Sequence, residues 1–170
     1  MPKSQSRRNA EPSLALADRS PPSSPTHRLP DLFELSEYDF EELCEELVRP
    51  LEGVTRATPK NRRGNPQFGV DVEGYSVRQK PFVVLSAKRE RGPTKAKLRR
   101  WSNDFLKHID GHWRDKGVER FVLACADEFR GDQVNGQITD ESETFRSHGM
   151  IYDPWDCKVS SVSYGLGVIS

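Results

Sequence analysis

The chain has 170 residues and a mass of 19.4 kDa, with 34% hydrophobic residues, 31% charged residues and a mean hydropathy of −0.76. At roughly 150 residues per domain this suits one folded domain plus a tail and excludes a multidomain machine, and no run of about 18 apolar residues offers a transmembrane helix. The zero net charge hides a segregation, because residues 31–53 sum to −8 and residues 54–120 to +10. Cys44, Cys125 and Cys157 are odd in number and form no CxxC pair, which argues against a disulfide framework or zinc knuckle and for a reducing, cytoplasmic setting. Cys44 and Cys125 lie in apolar runs and read as small core residues.

Residues 1–30 carry six of the twelve prolines among many Ser and Arg, a composition that cannot bury enough surface to offset chain ordering, so a disordered tail is expected there. The folded domain is expected over 31–160, with residues 161–170 an uncertain C-terminal tail. Ser36 offers an N-cap hydroxyl before an acidic first turn, and Phe40, Leu43, Cys44 and Leu47 follow at helical spacing, which predicts a helix over 37–49 that Pro50 and Gly53 end. Two β-like runs, 68–72 and 82–87, follow, separated by Glu73-Gly74-Tyr75-Ser76 and a polar stretch. After Gly92-Pro93-Thr94, the residues Leu98, Trp101, Phe105, Ile109 and Trp113 fall on one face of a second long helix. Residues 120–126 read as a buried strand, 127–149 as loop plus a short helix, and 150–152 as a last strand. The order helix, strand, strand, strand, helix, strand, weak helix, strand predicts an α/β domain with a mixed sheet covered by helices.

The informative stretch is Gly69-Val70-Asp71, followed fifteen residues later by Ser86-Ala87-Lys88 at the end of a hydrophobic strand. Side chains alternate along a strand, so Ser86 and Lys88 share a face and are aimed together. If the strand carrying Asp71 pairs beside this one, its carboxylate lies next to Lys88, and an acidic helix can add a further ligand for a hard divalent cation. Periodicity places Glu41 and Glu46 equally at the flanks of the first helix's apolar stripe, while Glu42 and Glu45 point further outward as solvating charges.

These motifs resemble the PD-(D/E)xK nuclease superfamily, and within it the Mrr-like restriction-endonuclease group found in bacterial defence proteins. Phe40-Glu41-Glu42-Leu43 looks like the group's FExL helix, Gly69-Val70-Asp71 its GxD strand end, and Ser86-Ala87-Lys88-Arg89 its QxKR or ExKR strand. The strand at 121–126 and the segment 149–156 resemble its closing part. The resemblance spans residues 36 to about 157 and implies a restriction-endonuclease-like core that hydrolyses phosphodiester bonds of DNA with Mg²⁺, or Mn²⁺ as a substitute. It implies that Asp71, Glu41 and the Ala87 carbonyl hold the metal, and that Lys88 orients the attacking water and stabilises charge on the phosphate. Ser86 stands where the family has Glu, Asp or Gln, and a neutral hydroxyl is a poorer ligand for a hard cation. A catalytically inactive module of the same fold, binding nucleic acid or a protein partner, is therefore the alternative; a structural module of a larger chain whose basic helix binds an acidic protein is a third. Cutting both strands of a duplex generally needs two centres, which points to a homodimer or a further domain of a longer protein.

Between residues 88 and 100 the chain carries Lys88, Arg89, Arg91, Lys95, Lys97, Arg99 and Arg100 against Glu90 alone, a density suited to tracking a phosphate backbone without reading its sequence. Arg62 and Arg63 extend that expected surface. Trp101 has core spacing. His108 and His112 stand four apart, but Ile109 occupies the position where a metalloprotease helix needs Glu, so they read as surface histidines.

Overall fold

The capping signal at Ser36 starts the first ordered helix in a computed structural model that describes residues 31–60 and 66–157. The Ser36 hydroxyl accepts from the Asp39 amide (3.1 Å) and the Asp39 carboxylate accepts from the Ser36 amide (3.3 Å), which satisfies two otherwise orphaned donors. Helix α1 (Glu37–Val48) buries Phe40, Cys44, Leu47 and Val48. Strands β1 (Arg56–Pro59), β2 (Val72–Tyr75) and β3 (Pro81–Lys88) follow, then α2 (Lys95–Leu106), a π-helical turn at Ile109–Trp113, the short α3 (Arg114–Lys116), β4 (Arg120–Cys125), α4 (Asp132–Ser147) and β5 (Ile151–Trp155).

The five strands form one mixed sheet in the order β1-β2-β3-β4-β5, with the β1–β2 and β2–β3 pairs antiparallel and the β3–β4 and β4–β5 pairs parallel. Alternation divides two cores. Val83, Leu85, Val122 and Ala124 face α1 with Val72, whereas Val84, Phe121, Leu123 and Cys125 face the other layer with Leu98, Trp101, Phe105 and Phe145. Because β4 is covered on both faces its sequence is continuously apolar rather than alternating, and its two parallel neighbours require the crossover helices α2 and α4. This is the α/β arrangement expected from the sequence, with helices on both sides of a mixed sheet. No helix among the described residues is long and apolar enough to cross a membrane.

Four local expectations are corrected. Residues 68–71 form a turn rather than a strand, and β2 begins at Val72, the last residue of that run, and continues through the stretch read as a connection. Strand β1 falls outside both β-like runs. The second helix ends at Leu106 and the chain continues through the π turn, where the Trp113 amide donates to the His108 carbonyl (3.2 Å), although Ile109 and Trp113 still reach the core. Finally, 127–149 contains a sixteen-residue helix whose buried stripe is Val134, Gln137, Glu141 and Phe145. Two polar members of that stripe conceal the helical periodicity. The tail before residue 31, Arg62, Arg63 and the segment after 157 lie outside the described residues.

Candidate active site

The turn before Asp71 explains why a glycine stands two residues ahead of it. Phe68 (φ 51°) and Gly69 (φ 79°) both take left-handed backbone, and the Phe68 carbonyl accepts from the Trp113 indole Nε1 (3.1 Å). A β-carbon on Gly69 would lie 2.7 Å from the Asp104 carbonyl oxygen of α2, so only glycine allows this approach. The turn sends Val70 into the core and delivers Asp71 to the start of β2.

There the Asp71 amide donates to the Leu85 carbonyl (2.8 Å), and the Asp71 carbonyl accepts from the Lys60 amide (2.7 Å). Its carboxylate Oδ2 accepts from the Ala87 amide (2.8 Å) and, at 3.4 Å, from the Ser86 hydroxyl. Backbone groups of alternate residues face the same neighbouring strand, so the carbonyl of Ala87 also faces this edge, while the Lys88 carbonyl accepts from Ala126 on the β4 side (3.0 Å). Asp71 is 9% exposed. Burial pushes its carboxyl above the ordinary Asp value, and the Lys88 charge, the Ala87 amide and the Ser86 hydroxyl offset that push only in part.

Helix α1 completes the site. Glu37 acts electrostatically on Asp71, and Asp71 and Glu41 both act on the buried Cys44 thiol. Glu37, Glu41 and Cys44, at steps of four and three, share one side of the helix. Burial pushes the Cys44 thiol strongly upward and the two carboxylates add to it. Cys125, also buried, is pushed up to about 11, again mainly by burial; both cysteines are core residues, as expected. The symmetry between Glu41 and Glu46 is broken, since Glu46 is half exposed and pairs with Arg49 (2.9 Å). Glu45, expected outside, is buried and held by the same Arg49 at 2.6 Å; an arginine one turn on compensates its burial.

Asp71, Ser86, Ala87 and Lys88 are therefore brought together, and α1, which carries Glu41, packs on the same sheet. Among the described residues no three His, Cys, Asp or Glu side chains gather closely enough to form a metal cage. A buried carboxylate beside a strand-edge carbonyl suits an ion that keeps several waters and shares phosphate oxygens of a substrate, as Mg²⁺ does, rather than an all-protein cage.

The basic stretch is engaged within the chain more than its composition suggests. Arg89 donates to the Phe33 carbonyl (3.2 Å), and Arg91 lies 3.9 Å from the centre of the Phe33 ring and pairs with Asp31 (3.6 Å). Lys97 donates to the Arg91 carbonyl (2.7 Å), and Lys97 and Arg100 pair with Glu90 at 3.3 and 3.2 Å. Lys95 and Arg99 form no ion pair among the described residues and line a shallow surface cavity of about 470 Å³ with Thr94 and Gln133.

A second polar cluster has no forerunner in the sequence reading. Glu73, 7% exposed, accepts from Lys60 (2.7 Å) and from the Tyr75 hydroxyl, with Lys116 at 3.9 Å. Burial pushes the Glu73 carboxyl up, but the hydrogen bonds from Lys60 and Tyr75 and the charges of both lysines outweigh it and hold the group below its ordinary value. His112, expected at the surface, stacks on Phe68 with ring centres 3.8 Å apart. The only sequence signals were the two-residue step from Glu73 to Tyr75 and the four-residue step from His112 to Lys116. No family model matches the chain, and no curated protein matches it in sequence.

Proposed function

We propose that the protein is a Mg²⁺-dependent DNA endonuclease of the PD-(D/E)xK superfamily. The observation that carries the reading is the buried Asp71 carboxylate, tied to the Ala87 amide at the end of β3 and flanked by the Lys88 charge and the Glu37–Glu41 side of α1. Asp71, the Ala87 carbonyl and Glu41 would hold the ion, and Mn²⁺ would substitute. Once bound, the ion supplies Lewis-acid polarisation of a phosphate oxygen and a lowered pKa for a water. Lys88 contributes a cation where negative charge develops on the phosphate and a donor that orients the water. The Ala87 amide fixes the Asp71 carboxylate, and Lys95 and Arg99 offer charge to a phosphate backbone beyond the centre. A DNA substrate, a cytoplasmic place in bacterial defence, and a second copy or partner domain to cut the other strand complete the proposal.

One observation favours the inactive, nucleic-acid-binding alternative: Ser86 turns its buried hydroxyl onto Asp71 where the family carries an acidic or amide side chain. Plasmid cleavage in Mg²⁺ or Mn²⁺ separates the two. Metal-dependent nicking by the wild type, lost in Asp71→Ala and Lys88→Ala, is the outcome expected of the nuclease. Inert protein that binds DNA equally well with or without Asp71 would leave only the binding module.

A further inference from the structure

The cluster around Glu73 opens into a cavity of about 430 Å³ lined by Arg56, Lys60, Phe68, Tyr75, His112 and Lys116, within the roughly 300–1,000 Å³ range of small-molecule sites. Its charges do not balance. Lys60 and Lys116 crowd one buried carboxylate and both approach the Trp113 ring, at 4.2 and 4.9 Å from its centre, while Arg56 lies 4.4 Å from the centre of the Tyr75 ring. Glu73 neutralises one of these three cations and leaves two. Burial and the charge of Lys60 pull the Lys116 ammonium below its ordinary value despite Glu73, so the two lysines repel across a partly desolvated gap. His112 adds a buried Nε2 with no hydrogen-bond partner among the described residues. Surplus cations lining a cavity beside the rings of Phe68 and Tyr75 fit a compact anion attached to a planar group.

We infer that this pocket binds the phosphate of a nucleotide unit, with Lys116 and Arg56 as its cationic partners and the His112 ring in its wall. The same chemistry has two sources, a free mononucleotide or a phosphate within a strand. The Lys60–Asp71 backbone hydrogen bond sets the pocket beside the candidate active site, which would suit a strand phosphate, but the inference stands on the pocket's own charges and does not require cleavage.

The test titrates the full chain with 5′-AMP, inorganic phosphate and adenosine while the His112 ring signals are followed by NMR. Saturable shifts with AMP and phosphate but not adenosine are expected, weakened about tenfold by Lys116→Gln, restored by Lys116→Arg, and reduced as salt rises. Lys116 lies at the partly exposed end of α3 and its replacement leaves the Lys60–Glu73 pair in place, so a folded variant is expected and circular dichroism checks it. A short single-stranded oligodeoxynucleotide that displaces AMP identifies a strand phosphate; one that leaves the His112 signals in place identifies a free nucleotide. Asp71→Asn should leave AMP affinity within about twofold whether or not it removes cleavage, so the two sites fail separately. No movement of His112 with either phosphate at ~10 mM, weaker than any useful affinity, or unchanged AMP binding in Lys116→Gln, would overturn the inference.

Discussion

Asp71 and Glu73 are two residues apart at the start of one strand and almost equally buried, at 9% and 7% exposure, yet their carboxyls are displaced in opposite directions. Burial is the largest influence on both. What differs is the company. Glu73 has a lysine at 2.7 Å, a second at 3.9 Å and a phenol hydroxyl, whereas Asp71 has one amide, one long hydroxyl contact and the charge of Lys88. A buried carboxylate with enough donors is part of the framework; one with too few is, under the proposed function, left to gain a cation. The contrast separates structure from chemistry within three consecutive residues.

The sharpest way to break this comparison is to remove the framework carboxylate. Glu73→Ala strands Lys60, whose side chain is 13% exposed, without its counter-charge, and should cost about 3–5 kcal/mol in urea denaturation. A comparable effect is expected where the turn rather than the charge is disturbed: Gly69→Ala forces a β-carbon against Asp104 at a positive φ and should lose roughly 2–4 kcal/mol. Asp71→Asn should do the reverse. It removes a charge that the fold compensates poorly while keeping an acceptor for the Ala87 amide, and should raise stability at pH 7 by roughly 0.5–2 kcal/mol, whereas DNA cleavage, under the proposed function, is lost.

The two carboxyls also predict opposite pH responses. A raised Asp71 pKa means the native state binds its proton more tightly than the unfolded chain, so ionisation of Asp71 costs stability as pH rises through the window from its unfolded value to its higher folded value. The lowered Glu73 pKa stabilises the protein above its unfolded value, and that contribution disappears as pH falls toward the folded one. The stability advantage of Asp71→Asn should therefore vanish in acid, where the wild-type group is already neutral, and a thermal-melting series against pH checks it. The smallest effect belongs to Ser86→Ala, whose 3.4 Å contact to Asp71 is long; a loss of about 0.5–1 kcal/mol and a further upward displacement of the Asp71 titration are expected by NMR.

Where a local pattern and its tertiary setting agreed, the sequence was readable. The Ser36 cap with its stripe from Phe40 to Leu47, and the apolar runs of β3 and β4, fall where periodicity places them. Alternation along β3 and an assumed neighbouring strand pointed the Asp71 carboxylate toward Lys88, whose charge does act on it, while its hydrogen bonds to the Ala87 amide and Ser86 hydroxyl came only from the folded edge. Strand β1 was not readable because four edge residues ending in proline carry no strand pattern, and α4 was not because Gln137 and Glu141 occupy its buried side and bond each other there at 2.5 Å. The Glu73 pocket was invisible for a stronger reason. Its members, Lys60, Glu73, His112 and Lys116, come from distant segments and share no motif; only the folded topology makes them neighbours.

The π turn at Ile109–Trp113 has a consequence for how that pocket could arise or be lost. An α-helix advances about 100° per residue, and a π turn accommodates one extra residue without breaking the helical path. Gly111, whose α-carbon faces open space, lies within this turn. Deleting it would remove the extra residue of this turn and rotate the chain that follows by about one residue's angle, moving His112 relative to Phe68 and Lys116 relative to Glu73. A single codon thus sets the angle at which two parts of the chain meet.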